Sequence, residues 1–512
     1  MADKTARNAQ RLLWAGFMAI LAAGVGFSIR AGILTQWATE YGFTMTELGA
    51  ITGGGLTGFG IIILAGSFIA DAVGYGKLMW LAFITHVISA VLTLAAGAAF
   101  ESGGKDAAFQ CLYWGMFLFA IGNGICEAVV NPLVASLFQE KKTHYLNILH
   151  AGWPGGLIVG GLASYFMNPD GAEPISWQIQ ISLFMVPVIL YGLMIIGQSF
   201  PKSEAGEAGV SYGVMFSQLA APLMLVLLVV HAMVGYVELG TDSWIGKITG
   251  SIMGSPQKGL LLFVYTSGLM FALRFFAGPI VERISSLGLL LVSAVLGFIG
   301  LQLLGAATTG IMCVVAATVY ACGKTFLWPT MLGVVSERFP KGGAITIGAI
   351  GGAGMLSAGL LGGPGIGFQQ DSYASTDLKE RAPEVYERYK APEENQFLTW
   401  TVVGLDGAKV GVLEDKGAEL ERAAEINPDS TAELVDWWET AAETADKDEK
   451  PVADAGLHGG RMALKMTSYV PAAMAVFYLL MLLMCKPEGK GDSETDISAA
   501  TGDAAPAEGD TA

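Results

Sequence analysis

The chain has 512 residues, 53% of them hydrophobic and only 14% charged. A protein bathed in water carries about a quarter charged residues, so much of this surface must face lipid and a wholly water-soluble fold is excluded. The net charge of −16 is concentrated: 371–461 holds 22 acidic and 10 basic residues and 486–512 holds 7 and 2, which leaves the apolar remainder close to neutral. No basic stripe of the kind nucleic acid requires is present. The five cysteines, Cys111, Cys126, Cys313, Cys322 and Cys485, lie in apolar stretches at spacings that fit neither a zinc site nor a disulfide framework, so they read as small buried hydrophobes.

The opening MADKTARNAQRLLW leads into a long apolar run without an A-x-A cleavage site, which predicts a first span and not a removable leader. Runs long enough to cross a bilayer fall at 12–36, 47–71, 77–100, 108–138, 143–167, 175–199, 219–245, 259–282, 286–307, 310–336, 342–367 and 464–485. Backbone amides in lipid need internal partners, and these runs are too long for barrel strands, so helices are required. The expected fold is an all-α polytopic membrane protein with twelve transmembrane helices in two six-helix bundles.

The boundaries follow. Residues 1–200 form the first bundle and 201–218 a cytoplasmic linker. Helices seven to eleven occupy 219–368, an acidic external insert 369–463, the twelfth helix 464–485, and a disordered tail 486–512. Lysines and arginines of the short loops, among them Lys77, Lys141, Lys142, Lys202, Arg283, Arg338 and Lys341, gather on the side of the N-terminus. That bias places both termini in the cytoplasm, with the chain in a plasma membrane.

Weak internal matches relate the halves. Cys126-Glu127 and Asn131-Pro132 align with Gly323-Lys324 and Trp328-Pro329, while Gly26-Phe27 aligns with Gly235-Tyr236. Such a parallel repeat is what duplication of a six-helix unit leaves. Within the insert, VYERYK followed by FLTWTVVGLDGAKVGVLED predicts a β-hairpin turning near Asp406-Gly407, and AELERAAEI and STAELVDWWETAAE predict amphipathic helices. A small α+β unit is expected there.

In the second span GSFIADAVGYGKL resembles the loop signature of the major facilitator superfamily, with Gly66, Asp71, Gly74 and Lys77; its counterpart AGPIVERISSLG supplies Gly278, Glu282 and Arg283. The resemblance implies that Asp71, Lys77, Glu282 and Arg283 act as a conformational latch, whereas the residues alone need only make cytoplasmic turns. The sequence departs from the signature at Ala72, where an arginine is usual. The stretch GNGICEAVVNPLVASLF, with LNILHAGWPGG after it, resembles the fucose permease family of sugar–proton symporters. That resemblance implies a carboxylate in the central cavity at Glu127 that takes part in proton coupling. At the place of that family's first-span acid, this chain offers Arg30.

A charge near the bilayer centre costs at least ~2.5 kcal/mol, so Glu127 must face a cavity or a partner. Lys324 sits at the repeat-equivalent place, and the two are expected to pair when substrate is absent; a permanent bridge that only fixes packing is the alternative. Arg30 and Glu238, at nearly equivalent positions, offer an outer gate or a substrate contact, with snorkelling to the interface as the plainer role for Arg30. Arg274 is expected near the cytoplasmic latch or on an anionic substrate. A sugar needs aromatic faces and polar side chains: Trp153 and Trp328 beside Pro154 and Pro329, with Asn131, Asn147 and Gln36, head the candidates. Trp37, Tyr236, Trp244, Tyr265, Asn123 and His150 follow, and His86 reads as a packed residue.

No Walker sequence, metal spacing or nucleophile elbow is present, so neither enzyme, cofactor nor metal is expected. The leading expectation is a monomeric secondary transporter that couples uptake of a small molecule, a sugar or related solute, to protons through Glu127. A carboxylate or sugar-acid carrier, favoured by Arg30, Lys324 and Arg274, is the alternative within transport. A membrane sensor whose insert binds a ligand is the alternative outside it.

Overall fold

The computed structural model describes residues 2–43, 45–169, 173–426 and 428–484. The segment 486–512 and Cys485 lie outside the described residues. Among those residues, ten helices are long and apolar enough to cross a membrane. Two expected runs are absent from that set for identifiable reasons. The run 143–167 opens on a polar stretch with His144, Asn147 and His150, which dilutes its hydropathy, and it divides at Ala151 into Lys142–His150 and Gly152–Met167, where Pro154 cannot donate to the carbonyl four residues earlier. The run 259–282 becomes a helix Pro256–Arg274 whose polar first turn dilutes its hydropathy. The residues expected to finish that run instead open the next helix, Ala277–Ala306, which kinks at Ser285 (φ 65°).

Breaks mark the spans that approach the molecule's centre. Gly310–Lys324 and Leu327–Arg338 divide one turn before Pro329. Tyr236–Gly240 and Ala358–Gly362 are π-helical turns inserted into two otherwise α-helical spans, and they pack on each other. Contact that close needs glycine: a side-chain carbon at Gly362 would fall 2.9 Å from Gly240 Cα. Such turns offset the helix register and recur at functional sites.

The two halves meet along two long seams. Met45–Val73 lies against Gly343–Ser357, where a side-chain carbon at Gly60 would fall 2.9 Å from the Leu356 amide. Gly152–Met167 lies against Pro256–Arg274, with Gly155 beneath Phe271.

Past the last seam, the helix Gly363–Arg381 runs through the boundary expected at 368/369, and Ala445–Thr467 begins well before that at 463/464. These extended helices pair and, with the residues between them, build a small core of Leu378, Val385, Tyr386, Tyr389, Leu413 and Val452. The hairpin here differs from the expected one. Strands Asn395–Phe397 and Trp400–Val402 turn at Leu398-Thr399. Asp406 is instead a helix cap: its side chain accepts from the Ala408 and Lys409 amides and starts Gly407–Glu414. An Asp-Gly pair serves as cap or turn with equal ease, and the helical run behind it decided. The two amphipathic helices form as expected, at Ala418–Ile426 and Pro428–Ala441.

A buried charge cluster as the candidate functional site

Glu127 and Asn131 lie one turn apart on the long helix Ala96–Leu137, which positions them on one face. The Asn131 side-chain amide donates to Glu127 Oε2 at 2.6 Å and to the Glu127 carbonyl at 3.0 Å. His150, at the end of its helix, brings Nε2 to 2.9 Å from Asn131 Oδ1 and 3.9 Å from Glu127 Oε2. All three side chains are buried.

Arg274 is the hub on the other half. Its Nη1 donates to the His150 carbonyl at 2.5 Å, its Nε to the Thr325 carbonyl at 2.8 Å, and its Nη2 to Glu238 Oε1 at 3.0 Å. The two carbonyls have a common origin. Each lies four residues before a proline, Pro154 and Pro329, which has no N–H to return the helical bond. The guanidinium fills both vacancies and in doing so ties the two halves together. Lys324 donates to Asp242 Oδ1, one turn beyond Glu238 on the π-bulged span.

Several expectations are corrected by this arrangement. Lys324 does not pair with Glu127: Asp242 is its carboxylate, and Asn131 and His150 occupy Glu127. Arg30 and Glu238 form no gate with each other. Glu238 belongs to Arg274, while Arg30 is buried, donates to the Gly26 carbonyl at 3.2 Å and sits 3.9 Å over the Phe119 ring. It therefore does not snorkel either. Arg274 lies at the centre, away from the latch. Gln36 bonds Asn168 at 2.7 Å at the far end of its span, outside this cluster.

Other candidates divide. Asn147 is buried and donates to Thr330 Oγ1 at 3.2 Å, across the halves. Trp328 packs against His231 with ring centres 4.6 Å apart and the rings tilted at 57°, and Trp153 packs on Phe27 at 5.6 Å. Trp37 is buried against Trp177, Tyr265 bonds Thr318 at an exposed position, and Asn123 bonds His86, which is packed as expected. Asp242 and His231 were missed. Asp242 carried a signal, a second acid four residues after Glu238 inside an apolar run; His231, buried with both ring nitrogens unpartnered, carried none.

The expected latch residues lie on the face that carries the N-terminal end. Asp71 accepts from the Ser203 amide (3.2 Å) and hydroxyl (2.8 Å), not from Lys77, which is exposed. Glu282 meets Lys141 at 3.2 Å, whereas Arg283 is exposed. Beside them Lys142 binds Glu204 at 2.8 Å, Thr143 donates to Glu337 at 2.8 Å, and His144 Nδ1 accepts from the Gly278 amide at 3.1 Å. On this face the halves are locked together.

A family model for the Major Facilitator Superfamily matches residues 16–363. The chain belongs to that superfamily. It is a multi-pass membrane transporter of the superfamily and not merely a protein of similar outline. The cis,cis-muconate transport protein of Acinetobacter baylyi is 24% identical over 181 residues, a match spanning 35% of this chain and 40% of that protein. The E. coli fucose:proton symporter aligns over 91% of this chain and 97% of its own, at 14% identity and a TM-score of 0.55. The proton:xylose symporter XylE of E. coli, bound to 6-bromo-6-deoxy-D-glucose, aligns over 97% and 99%, at 12% identity and a TM-score of 0.61. At such identities these structures share the superfamily fold with this chain.

Proposed function

We propose that this transporter is a twelve-span, proton-coupled uptake carrier for a sugar or related small polar solute, lying in the plasma membrane with both termini cytoplasmic. Its halves rock about the buried cluster, and Glu127 carries the proton. One observation supports this role above the others. Of the three carboxylates in this cluster, Glu238 holds Arg274 and Asp242 holds Lys324, whereas Glu127 is held by a side-chain amide and an imidazole. A proton can therefore discharge Glu127 without breaking a Lys or Arg ion pair. The contacts of Asp71, Glu282 and their neighbours would then release when the N-terminal face opens. Asn131, Asn147, Trp153 and Trp328 are the solute contacts of choice.

The test is uptake of labelled sugars into proteoliposomes with and without an inward proton gradient. Glu127→Gln should abolish accumulation driven by the gradient and keep counterflow. Uptake that ignores the gradient, or a variant that still concentrates solute, sinks the coupling role. A second reading, a carboxylate carrier, draws on Arg274 and Lys324 and on the muconate relative; muconate uptake that sugars fail to compete would favour it.

A further inference from the structure

The insert reaches the span that carries the π-helical turn Tyr236–Gly240. The hairpin packs on the extended helix Gly363–Arg381, where Asn395 Nδ2 donates to Asp371 Oδ2 at 3.2 Å. From that anchor Phe397 enters the span. A side-chain carbon at Gly365 would fall 2.9 Å from Phe397 Cζ and 3.1 Å from the Tyr236 hydroxyl. Phe397 also meets the Phe368 ring at 5.9 Å. Tyr236 opens the π-helical turn that carries Glu238, two residues further along the chain.

Two features ask for an occupant. Phe397 pairs directly with Trp400, which places the two rings on one face of the hairpin, yet Trp400 is 60% exposed. Between them Leu398 takes φ 54°, a conformation suited to glycine or asparagine, and holds another apolar side chain in the open. Beneath the rings, the Tyr236 hydroxyl lies near Gln369 and Thr467. Gln369 and the fully buried Thr467 hydroxyl are the polar groups that gather around it. Aromatic faces and a nearby group of polar side chains suit a ring with an apolar face and a hydroxyl rim. The surrounding insert carries a net −12, which repels an approaching anion.

We infer that the hairpin Asn395–Val402 is the outer wall of a solute subsite, at which Phe397, Trp400 and Tyr236 receive a neutral, hydroxyl-rich ring before it reaches the charged cluster. The inference rests on the carrier reading for its direction, but not for its binding.

Trp400→Ala and Trp400→Phe in the full chain test it, since the exposed ring can be removed without touching the core. Equilibrium binding of labelled D-xylose, L-fucose and cis,cis-muconate to detergent-solubilised protein is measured beside initial-rate uptake. For the sugar that binds, Trp400→Ala should raise Kd and KM about three- to tenfold with Vmax kept, and Trp400→Phe should recover most of it. Unchanged Kd in Trp400→Ala, a muconate affinity that falls as much as the sugar's, or no sugar binding to wild type would overturn the inference. Wild type that binds sugar with this dependence but moves none would sink the carrier reading and leave this one standing.

Discussion

Replacing Lys324 by methionine strips the buried cluster of one cation while keeping most of the side chain's volume. Lys324 is fully buried and Asp242 nearly so, so the pair lies far from the exposed regime in which ion pairs contribute about 0–1 kcal/mol. Removing the ammonium strands a dehydrated carboxylate, a loss of about 3–5 kcal/mol. Asp242→Asn added to Lys324→Met removes the stranded charge and should restore most of the stability. Glu127→Gln added to Lys324→Met should restore nothing, because Asn131 and His150 already occupy Glu127. The assay is heat-induced loss of the monodisperse peak in detergent for wild type, the three single variants and the two doubles, read as a double-mutant cycle. Rescue by Glu127→Gln, or no loss from Lys324→Met, would refute the pairing.

Three further outcomes follow from the packing. Lys142→Ala removes the links to Glu204 and the Ser336 carbonyl and should raise thiol labelling of a cysteine placed at Ser336, by opening the N-terminal face; unchanged labelling would show that these bonds do not hold it shut. Gly60→Val drives methyl groups against the Leu356 amide and should cut uptake at least tenfold at normal expression, and full uptake would argue that this seam is looser than drawn. Tyr389→Phe removes a buried hydroxyl without a partner and should leave resistance of 383–444 to proteolysis equal or higher at pH 7. Burial, with Asp448 nearby, pushes the Tyr389 phenol up to about 12. Because the folded value is raised, its contribution is intact below pH ~10 and is lost as the pH climbs toward 12. The advantage of the phenylalanine variant should therefore widen at pH 10.5; a constant gap would refute the cause.

Apolar run length and low charge made the helical membrane class legible in the sequence, because lipid imposes its demands on composition directly. Glu127 with Asn131 was legible too: a four-residue spacing is a contact on any helix. The partner of Lys324 was not. Repeat symmetry predicted Glu127, but two π-helical turns and two proline breaks shifted the facing helices and delivered Asp242 instead. The hub at Arg274 was half written, in the prolines that free the His150 and Thr325 carbonyls, though nothing local says which guanidinium will reach them. The descent of Phe397 beside Tyr236 had no sequence signal at all. The sequence by itself determined which groups must be buried and which backbone bonds must be missing. Only the tertiary structure decided who satisfies them, because a buried charge constrains its surroundings without naming its partner.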